Sequence, residues 1–219
     1  MSSIDFDIVN KTTSIIAKRG SGKSVLLRYL VEKNKHRFDR IICFCPTEPI
    51  AEFYTKGDPP LVDKKFVFAE WSEEYCKDLC DKLTKVNANK SKSEMKMCLL
   101  ILDDIYVDLD FHHSPVLKSI FMRSRHYGLA IISAVQYLHN LPPICRTNSD
   151  WVLTGQMNRQ SVQLLADEFR NIPRDDFITL VNKATKDFSF LVINNNSVQD
   201  TEDIDSLYGI LKTPQEYVT

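Results

Sequence analysis

The chain has 219 residues and a formal net charge of −1, and it is 43% hydrophobic and 26% charged. This composition is typical of a globular protein with one full core, so we expect a single domain over residues 1–219. The near-neutral charge excludes a uniformly basic surface, and no apolar run approaches the roughly 18 residues that a membrane span needs. We therefore expect an intracellular protein with no membrane span and only local patches for nucleic acid.

Strand and helix patterns alternate along the chain. Short apolar runs rich in β-branched residues predict strands at 12–16, 40–45, 65–68, 97–102, 129–134, 150–154 and 188–193. Helical spacing predicts helices at 23–35, 72–85, 115–126, 158–169 and 174–184, with a weaker signal at 203–212. This order predicts an α/β fold, a mostly parallel β-sheet flanked by helices on both faces.

A glycine-rich segment separates the first strand from the first helix. Residues 17–24 read Ala-Lys-Arg-Gly-Ser-Gly-Lys-Ser, which differs from the phosphate-binding (Walker A) pattern G-x-x-x-x-G-K-[ST] only at Ala17. Ala17 is compatible with the loop if its φ is negative. Backbone N–H groups at the helix N-terminus are predicted to surround nucleotide phosphates. The predicted nucleotide-binding residues are Arg19, Gly20, Ser21, Gly22, Lys23, Ser24 and Val25.

Individual side chains of this loop have distinct predicted roles. Lys23 would neutralise the terminal phosphates, and the Ser24 hydroxyl would hold Mg²⁺. A second motif, Cys-Leu-Leu-Ile-Leu-Asp-Asp at 98–104, begins about 80 residues further on and ends a buried strand in two carboxylates. Asp103 is predicted to bind Mg²⁺ through its water shell, and Asp104 to orient or deprotonate the attacking water. Glutamate does this second job more often.

Further candidates follow the next strand. Gln136 comes directly after the run 129–135, where its amide would bond the attacking water or the terminal phosphate. An arginine that reaches the γ-phosphate of a neighbouring subunit accelerates hydrolysis by roughly 10³ to 10⁵. Arg123, Arg125 and Arg146 are candidates for this arginine finger, although each alone is typical of an ordinary surface or helix-end charge.

Two other features leave alternatives open. Residues 85–97 are polar and lysine-rich, which indicates either a solvated loop or a loop that contacts a phosphate backbone. The six cysteines favour buried, reduced thiols over a zinc site or disulfides, because no second pair follows Cys43 and Cys45 at zinc spacing.

Taken together, these motifs give the chain a resemblance to the viral genome-packaging ATPases of the FtsK–HerA superfamily, especially their poxvirus and giant-virus branch. The first two motifs indicate only a P-loop NTPase, and the resemblance implies a fold of RecA or FtsK–HerA type. The narrower resemblance comes from Arg-His-Tyr-Gly at 125–128, Ile-Ser-Ala-Val-Gln-Tyr at 132–137 and Leu-Pro-Pro-Ile-Cys-Arg-Thr-Asn at 141–148. It covers residues 12 to about 155.

The resemblance implies an ATP- and Mg²⁺-dependent motor that moves double-stranded viral DNA into a preformed capsid. It implies a homo-oligomeric ring, a hexamer or pentamer, that contacts viral capsid proteins at the assembly site in the host cytoplasm and transiently at the capsid vertex. The hydrolytic site would lie at subunit interfaces, with Arg125 or Arg146 supplied by the neighbour. Its own-subunit residues would be Lys23, Ser24, Asp103, Asp104 and Gln136.

Two other functions remain compatible with the sequence. A nucleoside or nucleotide kinase uses the same phosphate-binding loop, although no segment carries the several arginines that such kinases place in a lid. A non-catalytic module that binds nucleotide structurally is the other alternative, and Ala17 is the residue that most favours it.

Overall fold

The computed structural model describes residues 6–105, 111, 113–196 and 204–214. Within them, eight strands form one sheet in the order β3-β2-β4-β5-β1-β6-β7-β8. The strands are β1 (Thr12–Ile16), β2 (Arg40–Phe44), β3 (Val67–Phe68), β4 (Cys98–Asp103), β5 (Leu129–Val135), β6 (Trp151–Thr154), β7 (Ser189–Asn194) and β8 (Tyr208–Lys212). The first six are mutually parallel, and β7 and β8 add antiparallel pairs at one edge. The predicted mostly parallel sheet is confirmed.

Helices cover both faces of this sheet. They are α1 (Lys23–Asn34), α2 (Glu48–Ala51), α3 (Glu73–Asn87), α4 (Pro115–Tyr127), α5 (Pro143–Thr147), α6 (Arg159–Phe169), α7 (Arg174–Ala184) and α8 (Ile204–Leu207). Alternate residues of β4 belong to different cores: Leu100 packs in the core that contains α3, α4, α6 and α7, and Leu99 in the core that contains α1. Burial on both faces explains why β4 is apolar from Cys98 to Leu102 and why β5 is apolar at every position except Ser133.

Local side-chain chemistry sets where the long helices begin. Ser72, Ser114 and Asn158 precede α3, α4 and α6, and each accepts a hydrogen bond from a backbone N–H of the first turn. These bonds satisfy donors that have no partner within the helix. Three of the predicted helix starts are therefore confirmed to within one residue by ordinary capping.

The weak helix predicted at 203–212 is wrong in most of its length. In the part that the structure describes, α8 ends at Leu207, and Tyr208 begins β8, which pairs with β7. Short apolar runs carry little periodicity, and pairing with an exposed sheet edge overrides the helical spacing. The helices α2 and α5, with four and five residues, were not predicted because they are shorter than a periodic window.

The lysine-rich segment begins within α3, which ends at Asn87, and continues as a loop to β4. Lys85, Lys90 and Lys92 are exposed, whereas Lys96 pairs with Asp39 at 2.7 Å. This loop lies at the amino-terminal edge of the parallel strands, because it leads into the start of β4. None of the helices among the described residues is long and apolar enough to cross a membrane.

Candidate active site

A cavity of about 700 Å³ opens at the carboxyl ends of the parallel strands. Ligands of parallel α/β sheets bind at this edge, and the volume suits a nucleotide. Its walls come from the loops after β1, β2, β4, β5 and β8 and from the turn before β7. The lining residues are Lys18, Arg19, Gly20, Gly22, Lys23, Ser24, Val25, Thr47, Asp104, Gln136, Phe188 and Thr213.

The loop after β1 has the backbone that phosphate binding requires. Gly20 and Gly22 have φ values of 76° and 86°, a left-handed conformation that side chains disfavour. The Ser21 hydroxyl donates to the carbonyl of Lys18 at 2.5 Å and tightens the turn. Because α1 begins at Lys23, its N-terminus opens directly into the cavity, where backbone N–H groups and the helix dipole favour an anion.

Ala17 is accommodated by a glycine on the adjacent strand end. Ala17 is fully buried, and its N–H donates to the Val135 carbonyl at 3.1 Å. A Cβ added at Gly155 would lie 2.9 Å from the Ala17 Cβ and 2.8 Å from Phe190 Cε1. The methyl of Ala17 therefore occupies the space that a side chain at Gly155 would take. The missing motif glycine does not distort the loop.

Lys23 joins the two sequence motifs in space. Its ammonium lies 3.2 Å from Asp103 Oδ1 and 2.9 Å from Asp104 Oδ2. Burial disfavours the charged form of Lys23, but the two carboxylates outweigh this and raise its pKa above the ordinary value. Lys23 therefore remains a cation at neutral pH, available to terminal phosphates.

Asp104 and Gln136 present polar atoms to the same cavity. Asp104 adopts a left-handed φ of 51° just after β4, and its N–H donates to the Ala134 carbonyl at 3.0 Å. The Gln136 amide donates to Asp104 Oδ2 at 3.1 Å. With its side chain 32% exposed, the Asp104 carboxylate is open to solvent, as a base for a water molecule must be.

Asp103 lies behind Asp104 and is held by a residue that motif reasoning missed. The hydroxyl of Tyr54 donates to Asp103 Oδ2 at 2.8 Å. Tyr54 is fully buried, and burial first, then the nearby Asp103 charge, raises its pKa well above the ordinary value. Tyr54 therefore stays protonated and directs Asp103. The loop that carries Tyr54 is fixed by buried Glu48, which accepts backbone N–H bonds from Phe53, Tyr54 and Thr55.

The donor set fits a hydrated Mg²⁺ with nucleotide phosphates. Oxygen ligands from one carboxylate and one hydroxyl, next to a phosphate-binding loop, are what such Mg²⁺ sites use. Ser24 supplies the hydroxyl from the cavity wall. Asp103 supplies the carboxylate from its buried position next to Lys23, where Tyr54 already aligns it.

Three residues of the cavity wall carried no motif. Thr47 follows β2, Phe188 precedes β7 and Thr213 follows β8. They lie far apart in the sequence, and only the strand order brings them to one edge. Knowledge of the β7–β8 hairpin would have been needed to predict the last two.

The candidate arginine fingers lie outside the cavity of their own subunit. Arg125, in the last turn of α4, pairs with the buried Asp150 at the amino-terminal edge of β6, and its side chain is 54% exposed. Arg146, on α5, is only 14% exposed and pairs with Glu168 at 2.7 Å. It also donates to the carbonyls of Leu138 and Leu141. Neither arginine reaches the phosphate-binding loop of the same subunit.

All six cysteines are buried free thiols. Burial raises the pKa of Cys80 and of Cys145 to about 12 and that of Cys98 to about 11. The thiols are therefore protonated at neutral pH. Cys45 approaches Asp103 Oδ2 at 3.9 Å and packs behind the site.

Solved viral packaging ATPases and a conjugation coupling protein share this fold. B204, the DNA-packaging ATPase of Sulfolobus turreted icosahedral virus, superposes with a TM-score of 0.65 at 17% identity, covering 95% of this chain and 100% of B204. The B204 packaging NTPase of Sulfolobus turreted icosahedral virus 2 in complex with AMPPCP has a TM-score of 0.63 at 16% identity. The match covers 93% of this chain and 97% of that protein. The conjugation coupling protein TcpA of pCW3 has a TM-score of 0.57 at 14% identity. The match covers 84% of this chain and 57% of TcpA.

Similar sequences occur in several viruses. Protein 075L of Invertebrate iridescent virus 6 is 30% identical over 206 residues, which are 92% of this chain and 76% of 075L. Protein 015R of Frog virus 3 is 22% identical over 200 residues, 90% of this chain and 61% of 015R. The family model described as Poxvirus A32 protein matches residues 9–206. The predicted family and the P-loop fold are thus confirmed, and the chain belongs to the Poxvirus A32 protein family.

Proposed function

We propose that this chain is a viral genome-packaging ATPase, a motor that couples ATP hydrolysis to the movement of double-stranded DNA into a preformed capsid. The observation that carries the proposal is the convergence of Lys23, Asp104 and Gln136 at one cavity beside the phosphate-binding loop, with the buried Asp103 paired to Lys23. A P-loop alone binds phosphate. The carboxylate and amide next to Lys23 supply what hydrolysis adds to binding.

The residues divide the chemistry between them. Backbone N–H groups from Gly20 to Lys23 hold the phosphates at the N-terminus of α1. On nucleotide binding, Lys23 leaves its carboxylate partners for the terminal phosphates, which compete for the same ammonium. Ser24 and Asp103 would hold Mg²⁺, which supplies charge neutralisation at the phosphate oxygens. The released Asp104 accepts a proton from water, and Gln136 orients Asp104 or that water.

The DNA part of the proposal draws on B204, a DNA-packaging ATPase of the same fold. The ring and capsid parts draw on the resemblance to the genome-packaging ATPases. We propose a homo-oligomeric ring, a hexamer or pentamer, in which Arg125 or Arg146 of one subunit reaches the phosphates of the next. Their position outside their own cavity is consistent with a role in trans. The expected place of action is the viral assembly site in the host cytoplasm, at the capsid vertex.

The fate of the γ-phosphate of ATP distinguishes this proposal from the two alternatives, a kinase and a non-catalytic nucleotide-binding module. Purified protein is given γ-labelled ATP, Mg²⁺ and linear double-stranded DNA, with and without a nucleoside acceptor. We expect release as inorganic phosphate, faster with the duplex than without it. Transfer of the label to the acceptor would instead establish a kinase, and tight binding without turnover in the presence of DNA would establish a non-catalytic module.

A further inference from the structure

The far wall of the nucleotide cavity is built by the β7–β8 hairpin. Along the sheet edge, Asp104 and Gln136 lie on one side of the phosphate-binding loop and the hairpin lies on the other. Ser189 pairs with Lys212, so the residues that precede β7 and follow β8 meet at this edge. These residues are Phe188 and Thr213, and both line the cavity.

Phe188 is held in an unusual conformation against the phosphate-binding loop. Its φ is 57°, it follows Asp187 with a φ of 52°, and left-handed backbone is a genuine outlier for an aromatic residue. The ring is nevertheless 48% exposed. Its Cδ1 lies 3.3 Å from the position that a Cβ on Gly22 would take. An exposed aromatic ring held in strained backbone at the rim of a binding cavity indicates a ligand contact.

Thr213 supplies a polar group next to this ring. It is buried, and its Oγ1 has no hydrogen-bond partner among the described residues. Rotation of its side chain toward the cavity therefore breaks no hydrogen bond. A hydroxyl both donates and accepts, so it bonds equally well to an amino group or to a carbonyl of a ligand.

We infer that Phe188 and Thr213 form the nucleobase subsite of this cavity, an inference that rests on the proposed nucleotide-binding function. The base stacks on the Phe188 ring while the phosphates lie at Gly20–Ser24, and Thr213 bonds the edge of the base. The larger ring system of a purine stacks over more of an aromatic face than a pyrimidine does. The hydroxyl of Thr213 does not distinguish adenine from guanine. The subsite therefore prefers purine over pyrimidine nucleotides but accepts both ATP and GTP.

Binding of four probes to the full chain tests this inference: ATP, GTP, CTP and inorganic tripolyphosphate, each with Mg²⁺, by calorimetry. For the wild type we expect ATP and GTP to bind within a few-fold of each other and more tightly than CTP. Phe188→Ala should weaken ATP and GTP binding by about 5- to 100-fold, the range of one base–aromatic stack. Tripolyphosphate binding should be unchanged, since it has no base. Thr213→Val should weaken ATP and GTP binding a few-fold and leave tripolyphosphate unchanged.

Two matched variants serve as controls for the binding measurements. Phe188→Trp keeps an aromatic face and should retain purine binding. Ile210→Ala removes an exposed apolar side chain from β8, outside the cavity lining, and should change nothing. The subsite would be overturned if Phe188→Ala weakened ATP binding and tripolyphosphate binding by the same factor while the circular dichroism stayed that of the wild type. The ring would then act only on the phosphate-binding loop. If the wild type binds none of the four probes, the proposed function itself fails.

Discussion

In the proposed mechanism, Asp104 is the residue on which hydrolysis depends most directly. It has the exposure of a base and contacts both Lys23 and Gln136, whereas Asp103 is buried and bound to Tyr54. The two adjacent carboxylates therefore differ in environment, and this difference supports different roles for them.

We expect Asp104→Asn to lower kcat for ATP hydrolysis by about 10² to 10⁴, the usual contribution of a general base, with nucleotide affinity nearly unchanged. Asp104→Glu should keep much more activity, because it preserves a carboxylate in an exposed position. Asp103→Asn is the contrasting variant: it should raise the Mg²⁺ concentration needed for half-maximal turnover. Near-wild-type turnover in Asp104→Asn would assign the base to another residue.

Gly155 offers a second test at the residue scale, because it explains how Ala17 is tolerated. Gly155→Ala should lower the free energy of unfolding by about 1–3 kcal/mol, since the added methyl overpacks Ala17 and buried Phe190. Urea denaturation measures this loss. In the double variant with Ala17→Gly, part of the loss should be recovered. Strictly additive effects of the two substitutions would show that residues 17 and 155 are not coupled.

The site residues that were predictable from the sequence lie next to elements with a strong pattern, and those that were missed lie in loops or turns. Lys23, Asp103 and Gln136 end or begin elements with strong patterns, so topology alone places them together. Tyr54 reaches Asp103 from 49 residues away, within a loop that has no pattern of its own. Phe188 depends in addition on a left-handed turn that propensity does not foresee.

At the scale of elements, seven of the eight strands among the described residues were predictable and the edge strand β8 was not. The strands β4 and β5 are buried along their whole length and read as nearly continuous apolar runs, and β1 is equally buried although it begins with Thr-Thr-Ser. β8 is a short edge strand that is buried only at Tyr208 and Gly209, and its helical spacing misled the prediction. The same hairpin completes the cavity wall, so this error hid part of the site.

The lysine-rich segment between α3 and β4 provides a prediction about DNA. We expect replacement of Lys85, Lys90 and Lys92 by alanine to reduce stimulation of the ATPase by duplex DNA without changing its basal rate, because the segment lies at the edge opposite the nucleotide cavity. The slope of DNA affinity against salt concentration should also fall by about one per contacting lysine.

A control for these lysines is a triple alanine variant at the exposed Lys56, Lys64 and Lys77, which removes the same charge elsewhere. Equal loss in both triple variants would indicate a non-specific charge effect. No loss in either would leave the segment as a solvated loop.

At the scale of the whole molecule, the position of the arginines predicts assembly. The chain has a mass of 25.3 kDa, and neither Arg125 nor Arg146 reaches its own cavity. With a non-hydrolysable ATP analogue and duplex DNA, we expect light scattering to give the mass of five or six chains. A monomer under these conditions, at concentrations where ATP turnover is seen, would contradict supply of an arginine in trans.

The central claim is that ATP hydrolysis at this site drives movement along double-stranded DNA. Its most direct test is the steady-state ATPase rate on linear duplexes of increasing length, at a constant concentration of base pairs, with Lys23→Ala as the inactive baseline. A translocating motor spends longer on each longer duplex before it reaches an end, so we predict a rate that rises with length to a plateau. A rate that does not depend on duplex length, or on DNA at all, would contradict the account.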